Sequence, residues 1–388
     1  MQKLTVYFKN EIYLRKLLRN KFRIDILRYI FFLFFFLNIT ESKAQSDVNI
    51  GLQVYQGAIL PHSNTISHLI TDKPKGFLLT IDNTKPTDAK WQKEYNYPDV
   101  GISLHSQFNQ NKELGDLYGL YAHYNFYFFQ RYLQLRIAQG FSYATNTYDK
   151  ETNARNVAYG SKVMPSTYFM LGFDKKNLID RFGINAGVML VHHSNGSLKA
   201  PNISTNTLSF NLGVNYSFDS DHFNFLKSTS NTSYPNSNEW KFNGVFRTGI
   251  NETYIVGMEQ KMFYHLSAFA EKPLNEVGGV QVGTELFLSN SLKELIPFLA
   301  VSFPEKNIEK DAEWKRLGLF VGYEWYLNSV SLEAQFGYYL IDEYKEDGSL
   351  YQRLGMRYYL NDNIFTTMSL KTHMAKAEAF EIGVGYKL

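Results

Sequence analysis

The chain has 388 residues, no cysteine and a formal net charge of +3. The absence of cysteine excludes disulfides, thiolate nucleophiles and cysteine metal sites, and the length allows one large domain or two small ones. Nine of the 40 Lys and Arg residues but only three of the 37 Asp and Glu residues fall in the first 44 positions, which leaves the remainder at net −3 and gives no support for nucleic-acid binding.

In chain order, the first segment is a leader. Lys3, Lys9, Arg15, Lys16, Arg19, Lys21, Arg23 and Arg28 precede an apolar run from Tyr29 to Ile39. That run is too short for a membrane-spanning helix, which needs about 20 residues. Ser42-Lys43-Ala44 then offers small residues where a signal peptidase reads. Residues 1–44 are therefore expected to be a signal peptide, with cleavage before Gln45. The rest, 45–388, is expected to form a single barrel domain.

No later stretch has 18 consecutive apolar residues, yet the chain holds 28 Tyr and 31 Phe. Alternating segments of about ten residues, with aromatics near their ends, are the mark of a membrane β-barrel. Strand candidates lie at 49–60, 76–83, 98–108, 116–130, 132–146, 165–176, 182–195, 204–218, 239–252, 256–272, 277–290, 295–304, 315–327, 329–343, 350–361, 363–373 and 380–388. Some must merge or fall outside the wall, because bacterial single-chain barrels are even-stranded. The fold class is all-β: a transmembrane antiparallel β-barrel of about 14 strands, within a range of 12 to 16. Gln130-Arg131, Asn328 and Asn361-Asp362-Asn363 suit tight turns. The Ser-, Asn- and Asp-rich stretch 219–238 reads as a long loop.

The seventh candidate carries the chemistry. Its even positions read Phe182, Ile184, Ala186, Val188, Leu190, His192 and Ser194. Strand side chains alternate faces, so His192 and Ser194 continue one apolar stripe, the stripe that faces lipid in a membrane barrel. A hairpin symmetric about Lys199 would set Asn206 opposite His192, with Cβ atoms roughly 4.5–5.5 Å apart, and a register slip by two would set it opposite Ser194 or Leu190 instead. His193 falls on the opposite face and reads as a lumen residue. Imidazole within reach of a hydroxyl activates serine at neutral pH.

His192-x-Ser194-Asn195, followed by Pro201-Asn202, resembles the signature of the lipid A 3-O-deacylase (PagL) family of outer-membrane β-barrels. Upstream, Trp91-Gln92, Tyr97-Pro98 and Gly115 to Tyr121 resemble the longer acyloxyacyl hydrolases. The resemblance is specific over 182–218. The compact family pattern is an eight-stranded barrel and leaves most of 219–388 uncovered. The resemblance implies Ser194 as nucleophile, His192 as general base, and Asn195 and Asn202 as oxyanion or support residues. It also implies a Glu twelve residues after the serine, where this chain has Asn206. No Asp or Glu lies between 181 and 218 to replace it. A Ser-His-Asn site is expected, since an amide can orient a histidine without offsetting its charge.

His62, His68, His105, His123, His222, His265 and His373 show no metal-ligand spacing. Asp342 to Asp347 and Pro304 to Asp311 read as solvated loops, and no zinc or phosphate-loop motif is present. The expected activity is cofactor-free and metal-free hydrolysis of an ester-linked acyl chain of lipid A, or of another membrane acyl ester, at the outer membrane of a Gram-negative bacterium. The partners are then the lipid substrate and outer-membrane lipid, without nucleic acid. The alternative is a porin or channel carrying a vestigial site.

Overall fold

The computed structural model describes residues 47–87, 89–218, 239–374 and 376–388. The expected leader at 1–44 and loop at 219–238 lie outside the described residues. The described residues form sixteen antiparallel strands, in two closed barrels of eight. The first barrel contains β1 (Val48–Leu60), β2 (Lys75–Asn83), β3 (Asp99–Phe108), β4 (Leu117–Phe128), β5 (Leu133–Ala144), β6 (Val163–Ile179), β7 (Phe182–His193) and β8 (Thr205–Ser217). It closes where β8 pairs with β1. The second contains β9 (Lys241–Asn251), β10 (Lys261–Asn275), β11 (Gly278–Ser289), β12 (Lys315–Leu327), β13 (Val330–Ile341), β14 (Leu350–Tyr359), β15 (Ile364–His373) and β16 (Lys376–Lys387). It closes where β16 pairs with β9.

Sixteen of the seventeen sequence candidates are strands. The exception, 295–304, falls largely within a helix, Leu292–Ser302. Its buried residues Leu292, Leu295, Ile296 and Leu299 follow the 3.6-residue period of a helix rather than the alternation of a strand. The single barrel expected over 45–388 is instead two. Nothing in local alternation says which distant strand closes a sheet, and the pairing of β1 with β8 settles it.

Alternation builds each wall. In the first barrel Leu52, Val54, Ile102, Leu104, Leu120, Leu171, Phe210 and Leu212 face outward, while Gln53, Asp82, Ser103, His123, Arg136 and Asn211 are buried inside. An eight-stranded barrel has an interior just wide enough for side chains to fill. Here polar side chains fill it. Asp82 accepts from His123 Nε2 at 2.5 Å and from Asn125 Nδ2 at 2.8 Å. The second interior is more highly charged. Arg353 binds Glu285 and Glu381, and Arg357 binds Glu324 and Glu333, all fully buried.

Long loops gather at one end of both barrels: 61–74, 109–116, 145–162 and 194–204 in the first, and 252–260, 290–314 and 342–349 in the second. Ile66, Leu69, Leu114 and Tyr159 pack over the end of the first barrel. The helix Leu292–Ser302 packs with Tyr344 over the second. The barrels stand side by side in the same orientation. They touch at the long-loop end through 196–200, and at the other end through Tyr95, whose hydroxyl donates to Val277 O at 3.1 Å.

Candidate active site

β7 and β8 pair in the register that sets His192 opposite Asn206. β7 is the seventh strand, so its C-terminal end lies with the long loops. Its even residues face outward, and His192 is half-buried on that face. His193 turns inward and is fully buried, its Nδ1 within 3.0 Å of Ser142 Oγ and of Ser166 Oγ.

His192 Nδ1 lies 2.7 Å from Asn206 Oδ1. An amide oxygen only accepts, so Nδ1 carries the proton and Nε2 keeps its lone pair. Asn206 Nδ2 in turn lies 3.5 Å from His62 Nδ1, and His62 Nε2 lies 2.8 Å from Ile203 O. The His62 ring thus donates from Nε2, and its Nδ1 faces both Asn206 Nδ2 and Leu60 O at 3.5 Å. His62 sits in the β1–β2 loop, 144 residues from Asn206, and no local pattern in the sequence signals it.

Ser194 lies one residue past the end of β7, at the start of a tight loop, and is 6% exposed. Asn202 Nδ2 donates to its Oγ at 3.0 Å, and the backbone N–H of Gly196 donates at 3.2 Å. Asn202 Oδ1 accepts the backbone N–H of Asn195 at 2.9 Å. The Asn195 side chain turns away from Ser194 and donates to Lys199 O at 2.6 Å, which braces the loop. Among the described residues no hydrogen bond joins Ser194 Oγ to His192. The structure therefore gathers all five expected residues at one rim, as two hydrogen-bonded groups: Ser194 with Asn195 and Asn202, and His192 with Asn206. Gly196 and His62 join them.

Glu252, from the β9–β10 loop of the second barrel, reaches this loop. Its carboxylate lies near the backbone N–H groups of Ala200 and Gly257. Burial raises its pKa, an effect those two N–H groups and Lys199 partly offset.

Serine–histidine–carboxylate connectivity, which the Ser194 site lacks, occurs inside both barrels. Ser103 Oγ lies 2.9 Å from His123 Nδ1, whose Nε2 meets Asp82. Ser289 Oγ lies 3.4 Å from His265 Nε2, whose Nδ1 meets Glu381. These groups are sealed in packed interiors, where no substrate reaches them. Position on the outer wall, rather than connectivity, distinguishes the Ser194 site.

Fold and site together describe a class: an eight-stranded barrel with hydrolase-type side chains at the rim of its outer wall. The chain belongs to the PagL-type family of lipid A 3-O-deacylases and acyloxyacyl hydrolases. Residues 80–215 match the model for lipid A 3-O-deacylase (PagL), and residues 238–388 match the model for the acyloxyacyl hydrolase C-terminal domain. The likeness thus extends beyond the hairpin into the second barrel. No curated protein sequence matches the chain. Among solved structures, a multiply substituted Rh. blastica porin is 9% identical, covering 88% of this chain and 99% of its own, at a TM-score of 0.19. A triple mutant of Rhodopseudomonas blastica porin is 10% identical over the same shares, at 0.18. Such scores define no shared fold.

Proposed function

We propose that this protein is an outer-membrane serine esterase that removes an ester-linked acyl chain from lipid A. The observation that carries this reading is the cluster at the outer rim: a serine hydroxyl held by two N–H donors, beside an outward histidine whose tautomer leaves Nε2 free to accept a proton. A lipid lying against the wall would present its ester at that height without entering the barrel.

In the reaction, Ser194 Oγ rotates from Asn202 to His192 Nε2 and attacks the ester carbonyl. His192 takes the hydroxyl proton. The tetrahedral oxyanion receives N–H bonds from Asn202 Nδ2 and Gly196, the two donors already grouped on Oγ. The acyl carbon–oxygen bond to the sugar breaks, and His192 returns the proton to the departing alkoxide. Water, deprotonated by His192, then attacks the acyl-serine carbonyl, the acyl–Oγ bond breaks, and His192 returns the proton to Ser194 Oγ as the free fatty acid leaves. Asn206 orients the imidazole but leaves the imidazolium charge uncompensated. That points to slower turnover than with a carboxylate at this position.

The channel reading loses support, because both eight-stranded interiors are filled by side chains and covered at the long-loop end. The test is mass spectrometry of lipid A from cells expressing the wild type or Ser194→Ala. Loss of one acyl chain with the wild type alone is the expected result. Identical lipid A from both, with both proteins folded in the membrane, would sink the proposal. Conductance in planar bilayers would then favour a channel.

A further inference from the structure

The second barrel grips the loop that carries Ser194. Gly196, Ser197 and Leu198 present three consecutive backbone carbonyls away from the first barrel. Each receives a donor from a different residue of the second barrel. Phe380 N donates to Gly196 O at 3.1 Å, Glu252 N to Ser197 O at 2.8 Å, and Gln260 Nε2 to Leu198 O at 2.5 Å. Ser197 Oγ donates back to Ala377 O at 2.7 Å, and the Glu252 carboxylate lies near Ala200 N. Gly196 and Ser197 both hold positive φ, +61° and +64°. A Cβ on Gly196 would lie 2.9 Å from Phe380 Cβ, so the backbone is pressed against β16.

We propose that the second barrel is a positioning scaffold for the esterase, and that beyond the main-chain contacts from Phe380 and Glu252 N the side chains of Glu252 and Gln260 are needed to hold the 196–200 loop in its working geometry. The inference rests on the esterase reading of Ser194. The link to the chemistry is direct. The Gly196 N–H that donates to Ser194 Oγ belongs to a residue whose own carbonyl is held by Phe380. Freeing the loop would let that donor drift, and drift of about 1 Å at a reacting centre costs on the order of a hundredfold in rate. Unpaired carbonyls beside a membrane are also costly, so without the second barrel these three would have to turn elsewhere. Neither Glu252 nor Gln260 forms a hydrogen bond with Ser194 or His192, so they act through the loop.

The test uses the full chain with Glu252→Ala and Gln260→Ala combined, and Glu252→Gln as the conservative variant. Heat-dependent gel migration checks that each barrel is closed. Hydrogen exchange of the 195–202 amides and steady-state kinetics on purified lipid A are then measured. The double variant is expected to exchange at least about tenfold faster there, with kcat down about tenfold and KM within about twofold. Glu252→Gln, which keeps an acceptor oxygen for Ala200 N, is expected to stay near wild type. Unchanged exchange in the double variant overturns the proposal whatever the substrate. Faster exchange with unchanged kcat also overturns it. Activity surviving Ser194→Ala would overturn the esterase reading instead, and exchange would still decide whether the second barrel holds the loop.

Discussion

At the scale of single residues, the informative position is Asn206. It fills a place where the family pattern has a carboxylate, and it does half of a carboxylate's work. Its oxygen holds His192 by Nδ1 at 2.7 Å. It brings no charge to set against the imidazolium, and its amide must be told which way to face. The His62 ring lies beside it, Nδ1 3.5 Å from Asn206 Nδ2, and is expected to set that direction. Asn206→Asp should raise kcat about fivefold to tenfold at neutral pH, because a hydrogen bond to a charged group contributes about 1 kcal/mol more than a neutral one. In the natural background, His62→Ala should lower kcat about threefold through loss of amide orientation. In the Asn206→Asp background it should do nothing, since a carboxylate offers two equivalent oxygens. Kinetics on the four proteins of this cycle decide the matter, and an equal His62 effect in both backgrounds would remove the orienting role. The facing of His192 and Asn206 was legible in the sequence, because strand alternation and hairpin register are local rules; the expected strand position of Ser194 was not met, because β7 ends at His193 and a loop places the serine. His62 was not legible, because its contact depends on how the β1–β2 loop returns over the rim.

At the scale of elements, the β7–β8 hairpin shows how little separates a strand from a site. Alternation carries outward-facing residues as far as His192. The chain then leaves the ladder, and Ser194 is placed by a loop whose shape depends on Gly196. That glycine has φ +61°, and a Cβ there would lie 2.9 Å from Phe380 Cβ. Gly196→Ala should therefore leave both barrels closed but cut kcat on the order of a hundredfold, measured on lipid A beside a gel-migration check of folding. Near-normal kcat would show that the loop tolerates a shift there. The sequence marked both hairpin strands within a residue or two at most ends, yet it read the helix Leu292–Ser302 as a strand. Short apolar runs satisfy both periods, and only packing against Tyr344 and the neighbouring loops decides between them.

At the scale of the whole molecule, the strand segments were readable, with sixteen present where about 14 were expected, and their closure was not. A sixteen-strand ring and two eight-strand rings use the same alternating segments. They differ in which strands meet over long sequence separations, and in what fills the interior. The interiors carry the physical answer. In the second barrel Arg353 lies between Glu285 and Glu381 with all three side chains fully buried, an arrangement that exists only in a lumen narrow enough for opposite walls to touch. In a wide ring the same residues would face water and be worth little to one another. Removing one member separates the two cases. Arg353→Ala removes the bidentate partner of two buried carboxylates, leaving Glu285 with Arg247 at 3.5 Å and Glu381 with His265, and should lower stability by about 3 kcal/mol, read as a shift in the urea midpoint of unfolding from micelles. Arg353→Met combined with Glu285→Gln and Glu381→Gln removes the charges together and should recover most of that loss. A single variant as stable as the wild type would mean that the carboxylates reach water, and with it that the lumen is open enough to revive conduction. The predicted loss would instead tie the packed second barrel to the role the rim contacts give it, a rigid neighbour against which the Ser194 loop is set.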